Sequence, residues 1–114
     1  MENCLFCKIA QGEIGSQKAY EDDRVLAFYD INPAAPVHIL IIPKEHIQSA
    51  LDLTEKDGAL LGHMFEIAAQ IAREQGIAED GYRLVTNIGQ AAGQSVPHLH
   101  LHLLGGRDLT WPPG

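Results

Sequence analysis

His98-Leu99-His100-Leu101-His102-Leu103-Leu104 is the stretch that decides the fold. Successive side chains of a strand point to opposite faces. A strand here therefore puts three imidazoles on one face and Leu99, Leu101 and Leu103 on the other. The leucine face calls for a core. The histidine face is suited to chemistry, because imidazole gains and loses its proton near neutral pH. Two blander readings compete, three solvated histidines on an exposed strand and a structural metal site. Strict alternation with leucine argues against the first.

Just upstream lies Asn87-Ile88-Gly89-Gln90-Ala91-Ala92-Gly93-Gln94-Ser95-Val96-Pro97. Gly89 and Gly93 open backbone conformations closed to other residues, and successive N–H groups in such a turn form an anion-binding nest. Asn87, Gln94 and Ser95 add side-chain donors. Alone this is an ordinary glycine loop; set before a histidine strand, it reads as a phosphate cradle beside a nucleophile. A neutral imidazole nitrogen attacks phosphorus to form a phospho-histidine, which splits a difficult displacement into two easier ones. His100, flanked by His98 and His102, is the candidate nucleophile. One of its nitrogens must be held by a hydrogen bond so that the other presents its lone pair. Donors at Gly93–Ser95 would stabilise charge on the transferring group.

Working outward, the chain reads as a single domain over residues 1–114, with 46% hydrophobic residues and a net charge of −7. No lysine or arginine cluster is present, so nucleic acid is not an expected partner; one phosphate of a mononucleotide needs only a few placed donors. Met1-Glu2-Asn3 is not basic and Lys8 interrupts the apolar stretch after it, so no signal peptide is expected. No segment is long enough to span a membrane, and the expected location is cytoplasmic.

Residues 4–10 read as a short helix or turn, and Lys18–Glu21 and Val25–Ile31 as strands around Asp22-Asp23. Val37–Pro43 is a buried strand, set off by the prolines of Asn32-Pro33-Ala34-Ala35-Pro36. Thr54 with Asp57 marks a helix start, Leu60, Leu61, Met64, Ile67, Ala68 and Ile71 follow at helical spacing, and Gly76 supplies the stop. That predicts one long helix near residues 55–75, on which His63 is assigned no role. Tyr82–Ile88 and His98–Leu104 are the last strands. Strands, then a helix, then two strands favour an antiparallel α+β domain.

Both cysteines fall in Cys4-Leu5-Phe6-Cys7. The spacing fits a redox pair, half of a zinc site, or coincidence, and the βαβ pattern of a thioredoxin-type motif is missing. A zinc site needs two further ligands, for which His46 and His98 are the candidates.

The segment Gly93-Gln-Ser-Val-Pro-His-Leu-His-Leu-His102 closely resembles the signature of the histidine triad (HIT) superfamily, His-φ-His-φ-His-φ-φ with φ apolar. Asp22–Ile31 is similar to that family's N-terminal hairpin, Pro36–His46 to its next strand, and Gly105-Gly106-Arg107 through Trp111-Pro112-Pro113-Gly114 to the ending of its Hint branch. The resemblance implies a five-stranded antiparallel sheet with one long and one short helix, the sheet extended across a homodimer. It implies hydrolysis of the P–N bond of adenosine 5′-phosphoramidate and related purine compounds through a nucleotidyl-histidine, without Mg2+. By position, His100 is the nucleophile, with His102 and Ser95 beside it in catalysis. Asp30 binds the ribose hydroxyls, and Ile31 contacts base or sugar. Asn87, Gly93, Gln94, Ser95 and His102 contact the phosphate or leaving group. Trp111 shapes leaving-group specificity across the dimer.

Some members of the superfamily carry a structural Zn2+ on two cysteines and two histidines, and Cys4, Cys7, His46 and His98 match that set; many Hint-branch members lack the cysteines. Two other functions share the pocket, a nucleotide-binding sensor with vestigial hydrolysis and a dinucleoside polyphosphate hydrolase.

Overall fold

The computed structural model describes residues 3–114. Met1 and Glu2, used above in reading the N-terminus, lie outside the described residues. The elements run α1 (Leu5–Ala10), β1 (Lys18–Glu21), β2 (Val25–Tyr29), β3 (Val37–Pro43), α2 (Gly58–Glu74), β4 (Tyr82–Val85) and β5 (Leu101–Gly105), with short 3-10 turns between them. The strands form one sheet in the order β1-β2-β3-β5-β4, every neighbouring pair antiparallel. This is the five-stranded α+β architecture expected from the sequence.

The sheet is covered on both faces, which is why β2 and β3 are almost continuously apolar. On one face Val25, Ala27, Ile39, Ile41, Leu101 and Leu103 pack against the buried stripe of α2, Leu60, Met64, Ile67, Ala68 and Ile71. On the other, Leu26, Phe28, Leu40 and Ile42 pack against Cys4, Phe6, Cys7 and Ile9 of the α1 region. Burying one such large aliphatic side chain is worth about 1.5–3 kcal/mol. The second face is thinly covered, since α1 has only six residues, and the cavity described below opens there.

Thr54 and Asp57 form the expected capping box, but the turn they open, Glu55–Asp57, is 3-10, and regular helix begins at Gly58. Gly76 takes φ +75°. Its N–H bonds Arg73 O at 3.1 Å and the Ile77 N–H bonds Ala72 O at 3.0 Å, closing a Schellman motif. Gly105 answers a different need, because a Cβ there would lie 2.5 Å from Ile77 Cδ1.

Three strands are shorter than their periodicity predicts. β5 begins at Leu101, not His98. The His98 N–H bonds Val96 O (2.8 Å) and the Leu99 N–H bonds Ile47 O (2.6 Å), so these backbone N–H groups go to loops instead of β3. The alternation survives nonetheless. Leu99, Leu101 and Leu103 enter the α2 core, whereas His98 and His100 face Phe6 of α1 and His102 shares a cavity with Phe6. β4 stops at Val85, short of Ile88, and the Thr86 hydroxyl then donates to His100 O (2.9 Å). β2 stops at Tyr29, short of Ile31, because Asp30 Oδ1 accepts from the Asn32 N–H (2.8 Å) and turns the chain toward Pro33.

Candidate functional site

His100 is 4% exposed, and its Nδ1 lies 2.7 Å from the carbonyl oxygen of His98. A carbonyl only accepts, so Nδ1 carries a hydrogen, and whenever the ring is neutral Nε2 is the nitrogen with the lone pair. The ring is clamped edge-on by Phe6, with centroids 5.0 Å apart and an interplanar angle of 86°, and His102 stands 5.0 Å away. The arrangement holds the ring in one orientation, with Nδ1 committed to the His98 carbonyl.

A second proton order runs through a histidine that the sequence reading passed over. The Ala34 N–H donates to His38 Nδ1 (3.0 Å), so the ring hydrogen of neutral His38 sits on Nε2. That Nε2 is 2.9 Å from His102 Nδ1 and 3.4 Å from Asp30 Oδ2. The shorter contact takes the hydrogen, which leaves His102 with its own hydrogen on Nε2. Burial holds His38 below the ordinary imidazole value, against the pull of Asp30, so the Asp30 contact is not an ion pair. Burial, reinforced by His100 and His38, pushes His102 down to about 4. His102 is therefore a neutral N–H donor. This relay accounts for the convergence of Asp30, His38 and His102 without a metal.

His100 and His102 open into a cavity of about 380 Å³. Leu5, Phe6, Ile9, Ile14, Phe28 and Leu40 give it an apolar lining, which Asp30, Ile31 and Ser95 share with the two histidines. Ile31 is 91% exposed, an apolar side chain left for something else to cover. Of the residues named from sequence, the cavity thus brings together Asp30, Ile31, Ser95, His100 and His102. Asn87, Gly93, Gln94 and Trp111 are not among its lining residues.

Gly89 and Gly93 do take positive φ, +86° and +95°. The Gly93 and Gln94 N–H groups, however, are bonded to Gln90 O (3.0 Å) and Gly89 O (3.1 Å), so neither is free for an anion. The Gln94 amide is also committed. Its oxygen accepts from the Gly89 N–H (2.9 Å), and its nitrogen donates to Gln48 O (2.8 Å) and Val96 O (3.0 Å). In this structure the Gln94 amide braces its own loop. Trp111 is 81% exposed, on a tail held by Arg83 Nη2 through Thr110 O (3.0 Å).

Behind His100 lies the second cluster. Cys4 Sγ is 3.2 Å from His98 Nδ1, Cys7 Sγ is 3.2 Å from His46 Nδ1 and 3.4 Å from His98 Nδ1, and all four ligand atoms lie within 4.8 Å of one another. His98 Nε2 is 2.8 Å from Pro43 O, so its hydrogen points there and the Nδ1 lone pair faces the sulfurs. Burial, then Cys4, push the Cys7 thiol up to about 11. Such thiols stay protonated at neutral pH unless a cation takes the proton's place. Two sulfurs and two imidazole nitrogens at these separations fit a tetrahedral metal ion.

The HIT domain model matches residues 11–109. The chain belongs to the HIT domain family. It is 51% identical to the purine nucleoside phosphoramidase of Escherichia coli strain K12, over 95% of this chain and 91% of that one. It is 49% identical to a 14 kDa zinc-binding protein of Zea mays, over 96% and 87% of the two chains. The crystal structure of a HIT family hydrolase from Legionella pneumophila Philadelphia 1 superimposes with a TM-score of 0.97 at 54% identity, covering 98% of this chain and 100% of that one. The protein is thus a HIT family hydrolase, with a Cys/His cluster able to hold a metal. Among the described residues, no helix is long and apolar enough to cross a membrane.

Two side chains that contact these histidines escaped the sequence reading. His38 is the one polar side chain in the run Val37–Ile42, a signal that could have flagged it. Phe6 sits between the cysteines and gave no sign that it would pack on His100. His63, assigned no role, bonds Asp22 Oδ2 at 2.5 Å and ties α2 to the β1–β2 turn.

Proposed function

We propose that this HIT domain hydrolyses purine nucleoside phosphoramidates to a nucleoside monophosphate and an amine through a nucleotidyl-His100 intermediate. One observation carries the reading: the His98 carbonyl holds His100 Nδ1 at 2.7 Å, leaving Nε2 as nucleophile in a cavity that also presents Asp30. The apolar floor suits a purine ring, and the Asp30 carboxylate is a good acceptor for two ribose hydroxyls. His100 Nε2 attacks phosphorus, the P–N bond breaks, and the nitrogen takes a proton from solvent and leaves as the amine. The His102 Nε2–H, fixed by the His38 relay, donates to a phosphoryl oxygen as charge develops there. Ser95, whose residue lines the cavity, serves the phosphate or the departing amine. Water then attacks phosphorus and gives up a proton to solvent, the His100–phosphorus bond breaks with its electron pair returning to Nε2, and AMP leaves. The phosphoramidase of E. coli at 51% identity supports this choice of substrate.

Cys4, Cys7, His46 and His98 hold Zn2+ in this reading, a donor set suited to zinc and in keeping with the zinc-binding relative from maize. Bound there, the ion supplies a structural cross-link between α1, the segment after β3 and the segment before β5. The functional unit is a homodimer. Among the described residues β4 is an edge strand with an unpaired side, and Phe65 stands 52% exposed on α2; a second copy would pair the first and cover the second. The C-terminal tail then brings Trp111 toward the partner's cavity.

The test is mass spectrometry of protein quenched during turnover of adenosine 5′-phosphoramidate, with an AMP adduct expected on His100. His100→Ala should lose turnover by orders of magnitude while keeping part of its AMP affinity. Normal turnover by that variant would defeat the mechanism. AMP binding with negligible turnover by the unaltered protein would favour a nucleotide sensor, and faster cleavage of diadenosine polyphosphates would favour that substrate class.

A further inference from the structure

The cysteine–histidine centre and the nucleophile are joined by four short connections. His98 belongs to both: its Nδ1 faces Cys4 and Cys7, and its carbonyl oxygen holds His100 Nδ1 at 2.7 Å. Phe6 lies between the two cysteines in sequence and packs edge-on against both His98 and His100. The two residues after the ligand His46 hold the segment that leads to the nucleophile, Ile47 O accepting from the Leu99 N–H (2.6 Å) and Gln48 O from Gln94 Nε2 (2.8 Å). Gln94 in turn bonds Val96 O (3.0 Å) and so brackets Ser95.

We propose that the centre formed by Cys4, Cys7, His46 and His98 is coupled to the nucleotide cavity, so that a metal ion and a nucleoside monophosphate each tighten the other's binding. The physical ground is shared order. Closing four ligands on one ion restrains α1, the His46–Gln48 segment and His98 together. Those same pieces fix the His100 ring, through Phe6 and the His98 carbonyl, and place Ser95, through Gln94. A ligand that needs His100 and Ser95 in position therefore meets a lower ordering cost when the ion is bound. Linkage requires the converse, by the same factor. Gln94 is a positioning residue in this scheme. The inference rests on the proposed nucleotide site.

The probes are Zn2+ and AMP. Calorimetry gives AMP affinity for the zinc-loaded and zinc-stripped protein, and chelator competition gives zinc affinity with and without saturating AMP. The expected factor is about tenfold in both, within the usual range for coupled sites. Zinc loss to a chelator should slow with AMP present, a measurement made on the folded, loaded protein even if the stripped one unfolds. NMR of the loaded protein should show the His100 Nδ1–H as a slowly exchanging resonance, lost or fast-exchanging when zinc is removed. In zinc-loaded Gln94→Ala the coupling factor should shrink by several-fold while one zinc per chain is retained. Equal AMP affinity with and without zinc, together with zinc release indifferent to AMP, overturns the coupling alone. Failure of the loaded, unaltered protein to bind AMP overturns the proposed nucleotide site, and the coupling with it.

Discussion

Replacing His38 tests the proton order on which the site depends. The imidazole is 7% exposed, accepts at Nδ1 from Ala34 N–H, and bonds His102 Nδ1 through Nε2 at 2.9 Å. His38→Ala deletes both bonds and leaves His102 Nδ1 without a donor, free to carry the hydrogen on either nitrogen. Stranding one buried polar group costs about 1–3 kcal/mol. Felt wholly in the transition state, that is a loss of about 5- to 150-fold in kcat/KM. His38→Gln is the informative control, because its amide oxygen can accept where Nδ1 did and its amide nitrogen can donate where Nε2 did. The assay is steady-state hydrolysis of adenosine 5′-phosphoramidate, with Tm measured for both variants. The alanine variant should fall within that range, and glutamine should recover most of the loss. Alanine with kcat/KM within about twofold of the parent, or a folded glutamine variant as slow as alanine, would refute the relay.

Three further outcomes follow from the same geometry. Asp30→Ala should weaken AMP binding by about 10- to 150-fold, the worth of about 1.5–3 kcal/mol for hydrogen bonds to a charged group; calorimetry with 2′,3′-dideoxy AMP should show a much smaller effect, and an equal one would remove Asp30 from ribose binding. His38 and His102 are both held below the ordinary imidazole value, His102 at about 4. The unfolded chain therefore binds more protons between about pH 6.5 and 4, and stability should decline as pH falls through that window, by about 1.4 kcal/mol per pH unit per proton at its steepest; denaturant titrations that show a flat stability from pH 7 to 5 would contradict these positions. Truncation after Thr110 should alter the ratio of kcat/KM among phosphoramidates bearing different amines more than it alters dimer dissociation, and an unchanged ratio would take Trp111 out of the site.

Much of the fold was legible because it depends on local periodicity. The apolar runs at 25–29 and 37–43 and the helical stripe from Leu60 to Ile71 could be read directly, and the Thr54–Asp57 capping box is in place. The errors cluster where backbone bonds go to loops. His98 to His100 alternate like a strand yet bond Val96 and Ile47, and nothing local in the sequence announces those partners. Gln94 shows the same limit, since a free amide and a loop brace have the same letter and only the position of the Gln48 carbonyl separates them.

By itself, the order of residues determined that three imidazoles would share a face opposite three leucines, that a carboxylate would follow the apolar run of the second strand, and that two thiols would share the short first helix or turn. Those are matters of spacing along one chain. Only the tertiary structure decided which carbonyl orients His100, that His38 supplies the hydrogen to His102, and that Cys4 meets His98 across 94 positions of sequence. Hydrogen bonds and metal ligation act over about 3 Å, a distance set by how the sheet folds the chain back on itself and not by separation along it.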